Sequence, residues 1–113
     1  MNMEEFDKLL ENRIMLLRRI LSFKSSEYSR NNDKLHNFKR AGQMLNVSPE
    51  KALIGMKVKH DISILDIVND IDNDKLPSIE LLQEKIGDSI NYLILLEALI
   101  KERIYKSFGD RKT

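Results

Sequence analysis

Apolar residues recur along this chain at steps of three and four, and no window alternates at a step of two, so the pattern predicts an all-α fold. Phe6, Leu9, Leu10, Leu17, Ile20 and Leu21, with Arg13 among them, mark a first amphipathic helix over 3–23. The stretch 25–33 is polar and turn-rich and reads as a loop, with Asp33 as N-cap of a short second helix. That helix turns Leu35, Phe38, Ala41 and Leu45 inward and stops at Asn46. Ser48 and Pro49 start a third helix over 49–71, since the hydroxyl can cap it and proline at the first position has no N–H to leave unpaired. Leu53, Met56, Ile64, Ile67 and Ile71 form its inward stripe, and His60 falls on the same stripe. After a loop ending in Pro77, Ser78 caps the last helix. Asp70, Asp72 and Asp74 open that loop with calcium-loop spacing. Lys75 stands where the tight-turn glycine is required, however, and Leu81 where the bidentate glutamate is, so these acids read as solvated turn residues.

The last helix is the central one. It is apolar on nearly every side from Glu84 to Ile104, the pattern of a helix packed by neighbours all round. The expected architecture is one all-α domain over 1–113, a compact bundle of about four helices with its core over about 3–104 and a mobile basic tail over 105–113. A lone domain of this size has few neighbours to cover such a helix, so self-association into a homo-oligomer is expected, with sites near a subunit interface.

Composition removes whole classes of function. One third of the chain is charged, yet the net charge is only +1, so no global field draws it to nucleic acid or an anionic membrane, and neither is an expected partner. The absence of cysteine excludes a disulfide framework, a zinc–thiolate site and a cysteine nucleophile. The start Met1-Asn2-Met3-Glu4-Glu5 lacks the basic and apolar regions of a signal peptide, and the apolar run near Tyr92 is shorter than a bilayer span, so a cytoplasmic location is expected.

Binding would then be local, and two polar stripes offer the groups for it. Glu84, Asp88 and Asn91 recur at i, i+4 and i+7, stacking two acids and an amide along one side of the last helix. Lys59, Ser63, Asp66 and Asp70 do the same on the third, while Lys57 and Asp61 on its other flank read as an i, i+4 surface ion pair. Two antiparallel helices joined by a short loop face each other, and facing stripes of this composition can build a metal or phosphate site. On the second helix Asn37, Lys39 and Arg40 add an amide and two cations, a usable anion edge.

Four blocks then carry a resemblance. They are Asp33-Lys34-Leu35-His36-Asn37-Phe38-Lys39-Arg40-Ala41, the run Ser48-Pro49-Glu50-Lys51-Ala52-Leu53-Ile54-Gly55-Met56, the set Lys59-His60 with Ser63 and Asp66, and Glu84-Lys85-Ile86-Gly87-Asp88 with Asn91-Tyr92-Leu93. In their order, over about 28–102, they resemble a group of small phage and prophage proteins associated with nucleotide modification. More loosely, the chain is similar to the MazG-like all-α nucleoside triphosphate pyrophosphohydrolases. That resemblance implies magnesium held by carboxylates from two helices, and water attacking a bound triphosphate to release a monophosphate and pyrophosphate. Glu84 and Asp88 match the family's Glu-x-x-Gly-Asp half, but Lys59-His60-x-x-Ser63-x-x-Asp66 replaces its Glu-Glu-x-x-Glu cluster, and Lys85 replaces a further Glu. On this basis Asp66, Glu84 and Asp88 are the expected magnesium ligands, and with His60 as acid or base they form the candidate catalytic set. Lys59 would neutralise phosphate and Asn91 would bond base or sugar, with Asn37, Lys39, Arg40 and Ser63 as further ligand contacts. Three functions stay open at this point. They are a magnesium-dependent nucleotide pyrophosphohydrolase, a non-catalytic protein that captures a nucleotide or a host-defence nucleotide signal, and a helical protein-interaction module.

Overall fold

A computed structural model describes the backbone of residues 1–28 and 33–109, with side chains for 1–22 and 33–109. Its elements are four α-helices: α1 (Met3–Tyr28), α2 (His36–Leu45), α3 (Pro49–Asp72) and α4 (Ile79–Ser107). The serine caps form as the sequence predicts. Ser48 Oγ accepts from Lys51 N and Ser78 Oγ from Leu81 N, each at 3.1 Å, so each helix has one of its orphan N–H groups satisfied. Asn46 ends α2 in the left-handed region at φ 57°, ψ 45°. Asp33 acts differently from the expected N-cap: α2 begins at His36, and Asp33 Oδ1 accepts from Leu35 N at 2.9 Å, an Asx turn that leads the chain into the helix. Part of the loop expected over 25–33 is helix, because α1 continues to Tyr28; residues 29–32 lie outside those described. The expected mobile tail likewise starts as the end of α4, and residues 110–113 lie outside the described range.

Packing runs in the order α1–α4–α3–α2. The core forms where α2 seats on the α3/α4 pair. Leu35, Phe38, Leu53 and Leu99 are its buried members, with Met56, Tyr92, Leu95 and Leu96 packed against them. Leu53 is fully enclosed, and Phe38 meets Tyr92 edge-on with ring centres 6.1 Å apart. Gly42 sets how closely α2 and α3 approach: a Cβ there would lie 2.8 Å from Val47 O and 3.0 Å from Pro49 N, backbone atoms with no freedom to retreat. Asp61 forms the expected i, i+4 pair with Lys57 and also ties two helices together. Its carboxylate receives Lys57 Nζ at 2.7 and 2.9 Å and Ser89 Oγ of α4 at 3.0 Å. At the other contact of α4, Arg13 Nη1 of α1 donates to Gln83 O at 3.2 Å and crosses α4 over Gly87, where a Cβ would lie 2.8 Å from that nitrogen.

The four helices form the expected all-α bundle, but an open rather than a compact one. Its extents are 52 × 33 × 24 Å and its radius of gyration is 17.0 Å. A compact domain of this length has a radius of gyration of about 13 Å. The main contact of α1 is with α4, and Phe6, Leu9 and Leu10, expected inward, remain about half exposed, as does Ile71 of α3. Leu45, also expected inward, is 65% exposed at the end of α2. Nor is α4 covered all round: Ile79, Leu93, Ile100 and Ile104 stand on a face that no other helix reaches.

Two opposed glycine substitutions test this packing. Gly42→Ala is expected to lower the unfolding free energy by about 1–3 kcal/mol, since only backbone could move aside. Gly55→Ala, with nothing within 4 Å of the new Cβ, is expected to raise it by about 0.5–1 kcal/mol through helix propensity. Urea titration of both variants reads the two signs.

Candidate functional site

The surface opens into a large cleft, mainly apolar but edged by polar groups, where α1, α2, α3 and α4 converge, with a volume of about 640 Å³. That lies within the range usual for a small-molecule site. One end of α1 contributes Ile20 and Leu21, and Met56 and Leu95 add further apolar surface from α3 and α4. The polar groups arrive from the other sides. Lys34, Asn37 and Arg40 come from the start of α2 and the turn before it, Lys59 and His60 from α3, and Asp88 and Asn91 from α4. Helix periodicity explains the grouping: on α2 the steps 34, 37, 41 and 44 keep one side turned to the cleft, and on α4 the steps 88, 91 and 95 do the same.

Inside the cleft, His60 is fixed from two directions. Its Nδ1 lies 3.5 Å from Asp88 Oδ2, and its ring lies against that of Tyr92 with centres 4.9 Å apart and planes at 37°. Asn91 is the group whose needs are not met. It is 6% exposed, and its Oδ1 is the buried side-chain oxygen that has no hydrogen-bond partner among the described residues. Leaving such an acceptor unpaired costs about 1–3 kcal/mol. Among the described residues, Lys34 and Lys59 carry no ion pair, and Arg40 makes only a hydrogen bond from Nη1 to Gln43 Oε1 at 3.2 Å. The cleft therefore combines cations without an ion pair among the described residues, an aromatic pair, and a buried acceptor without a donor among them.

Six of the residues singled out from the sequence meet here: Asn37, Arg40, Lys59, His60, Asp88 and Asn91. Four do not. Lys39 points to the other side of α2, where its ammonium lies 2.8 Å from Asp33 Oδ2 and 2.7 Å from Glu102 Oε1, an internal strut between the start of α2 and the end of α4. Ser63 donates its hydroxyl to Lys59 O at 3.0 Å, back along its own helix. Asp66 is exposed outside the cleft. Glu84 is also outside it, its side chain 60% exposed and its carboxylate 3.3 Å from Lys85 Nζ. Among the described residues no three His, Asp or Glu side chains stand close enough together to hold a metal ion. Lys34 and Tyr92 were missed as cleft residues. Lys34 could have been found from its i+3 spacing to Asn37, and Tyr92 from its i+4 spacing to Asp88.

A second cavity, of about 530 Å³, opens between α2, α3 and the end of α4. Its charges already satisfy one another: Lys39 with Glu102, and Arg103 Nη2 with Glu50 Oε1 at 2.8 Å. The Arg103 hydrogen bond is the main reason the Glu50 carboxyl titrates below its usual range, burial opposing it. For Asp33 burial is the largest influence and works against the charged form. The hydrogen bonds from Lys39 Nζ and Leu35 N outweigh it, so this pKa too is lowered.

Comparison of the chain with protein-family models, with curated proteins and with solved structures returns no match in any of the three. No helix among the described residues is long and apolar enough to cross a membrane.

The lowered carboxyls set an acid limit. Asp33, Glu50, Asp61 and Glu102 all have folded pKa values below their ordinary ones, so their stabilisation is complete above the ordinary carboxylate range and is lost as pH falls through the lowered values. The melting temperature is expected to be level at neutral pH and to fall below about pH 4, a profile that scanning calorimetry reads directly. Lys39→Ala should lower stability by about 1–2 kcal/mol and flatten that fall.

Proposed function

We propose that this protein binds a nucleotide or nucleotide-derived ligand in the four-helix cleft and acts by capturing it. The unpaired, buried Asn91 Oδ1 carries the reading, because an enclosed acceptor with no donor is costly unless a donor arrives with a ligand. A base amino group or a sugar hydroxyl supplies such a donor. Lys34, Arg40 and Lys59 would neutralise phosphate, the guanidinium donating to two oxygens side by side. The paired rings of His60 and Tyr92 offer a face on which a base can stack. This agrees with the resemblance to the phage group, and the small size and self-association expected from the sequence fit a capture protein made of repeated copies.

Hydrolysis with magnesium, which the looser resemblance implies, would require Asp66, Glu84 and Asp88 to converge. Of these three only Asp88 lines the cleft, beside His60, and no metal-holding cluster stands among the described residues, so the reading proposed stops at binding.

Asn91→Leu separates this reading from a purely structural role. Removing a buried acceptor that has no partner is expected to raise the melting point of the free protein, by about 1 kcal/mol in stability, while weakening ligand binding at least tenfold. A screen of mono-, di-, tri- and cyclic nucleotides by thermal shift, confirmed by calorimetry, supplies the ligand; one present at about a hundred times its Kd stabilises by about 2.7 kcal/mol. Arg40→Ala should weaken the same ligand, and Lys39→Ala should not, although the two residues are adjacent. Absence of a shift with every nucleotide overturns the proposal, and release of pyrophosphate by the wild-type chain would replace capture with hydrolysis.

A further inference from the structure

The open face described above has a regularity that the fold of one chain does not use. On α4, Ile79, Ile86, Leu93 and Ile100 follow one another at intervals of seven, and Ile79, Leu93 and Ile100 are 69%, 51% and 42% exposed. On α3, Ile54, Val58, Leu65 and Val68 occupy the two apolar positions of the same repeat, each about half exposed. A seven-residue apolar repeat keeps one seam of a helix turned toward a partner helix, and this chain has two such seams side by side. Asp61 falls within the α3 seam, but Lys57 and Ser89 already satisfy its carboxylate, so it does not oppose burial as a bare charge would.

We infer that this face is the contact between two copies of the chain, the α3/α4 pair of one closing over that of the other. Area identifies the occupant. A folded monomer of this mass exposes roughly 6,400 Å². This chain exposes 8842 Å². The excess, about 2,400 Å², is shared between this face and the half-exposed side of α1, and even half of it, about 1,200 Å², is one partner's share of a homodimer interface, which buries roughly 2,000–5,000 Å² over both partners. The seams are also complementary to themselves, since each is a helix with the repeat that the other requires. A near-neutral chain offers no charge preference for an acidic or basic partner instead. The face lies across α4 from Asp88, Asn91 and Tyr92, so each copy keeps its own cleft and the pair holds two sites. This inference stands apart from the identity of the ligand.

Sedimentation equilibrium of the full chain at micromolar concentration should give twice the 13.2 kDa of one copy, or an even multiple of it. Leu65→Glu and Leu93→Glu should sediment as single chains with helical circular dichroism retained, because both side chains are half exposed within one copy. A wild-type chain that sediments singly, or a dimer that survives both substitutions, overturns the inference. Should the glutamate variants fail to fold, the chain's lack of cysteine provides a second reading. Leu65→Cys and Leu93→Cys should form disulfide-linked pairs under mild oxidant much faster than Met44→Cys, which lies on α2; equal rates at all three overturn it. Nucleotide-induced thermal shifts measured on a monomeric variant keep a failed cleft distinct from a failed interface.

Discussion

A helix that is apolar around its whole circumference needs neighbours around its whole circumference, and α4 obtains them on only part of it. That shortage shapes the molecule. With α1 on one side and α3 on another, the chain spreads into a layer, and α2 can add its Leu35 and Phe38 to only one surface of that layer. The resulting core is small, centred on Leu53 and Leu99. It is bounded by polar ties rather than by further apolar packing: Lys39 between Asp33 and Glu102, Arg103 against Glu50, and Asp61 between Lys57 and Ser89. Ties of this kind hold helices in register more than they add stability, because desolvation offsets much of their attraction.

The same geometry creates the cleft. Since α1 packs mainly on α4, a gap remains beside α2, lined by Asn91, Tyr92 and His60. A fully closed bundle would have filled this space with side chains. Here it is lined on one side by apolar residues and on the other by Lys34, Arg40 and Lys59, which form no ion pair among the described residues. A chain of near-zero net charge thus concentrates local positive charge without any global excess, while Asp33, Glu50 and Glu102 pair with Lys39 and Arg103 at the opposite side of α2 and the end of α4.

Local chemistry in the sequence was enough to place most of the elements. The caps at Ser48 and Ser78 and the left-handed stop at Asn46 depend on three or four consecutive residues, and each appears where the sequence predicts it. Contacts between distant residues were less legible. Lys39 and Arg40 are neighbours in sequence and equally plausible phosphate ligands, and what separates them is Glu102, some sixty residues away, which captures the first. Asp66 and Glu84 lie on the polar sides of their helices, as the periodicity requires, yet a helical wheel gives an angle and not the register of the opposing helix. In the register adopted, Asp88 meets His60, while Glu84 remains near solvent beside Lys85. Phe6, Leu9 and Leu10 mark the apolar side of α1 correctly, but the pattern cannot say whether this chain supplies their cover.

Asn91 joins these strands. A leucine in its place would pack as well against α1 and α3 and would relieve an unpaired acceptor, so neither helix propensity nor core packing accounts for an amide at this position. Its neighbours on the same side of α4 are Asp88 and Leu95, and its opposite side carries the heptad residues of the open face. One helix is thus divided lengthwise into a face that tolerates an energetic penalty and a face that holds unspent apolar area. Proteins sustain a local penalty of this kind where function requires it and recover the stability elsewhere. Burial of the open face against a second copy, as proposed above, would stabilise the fold by more than Asn91 costs.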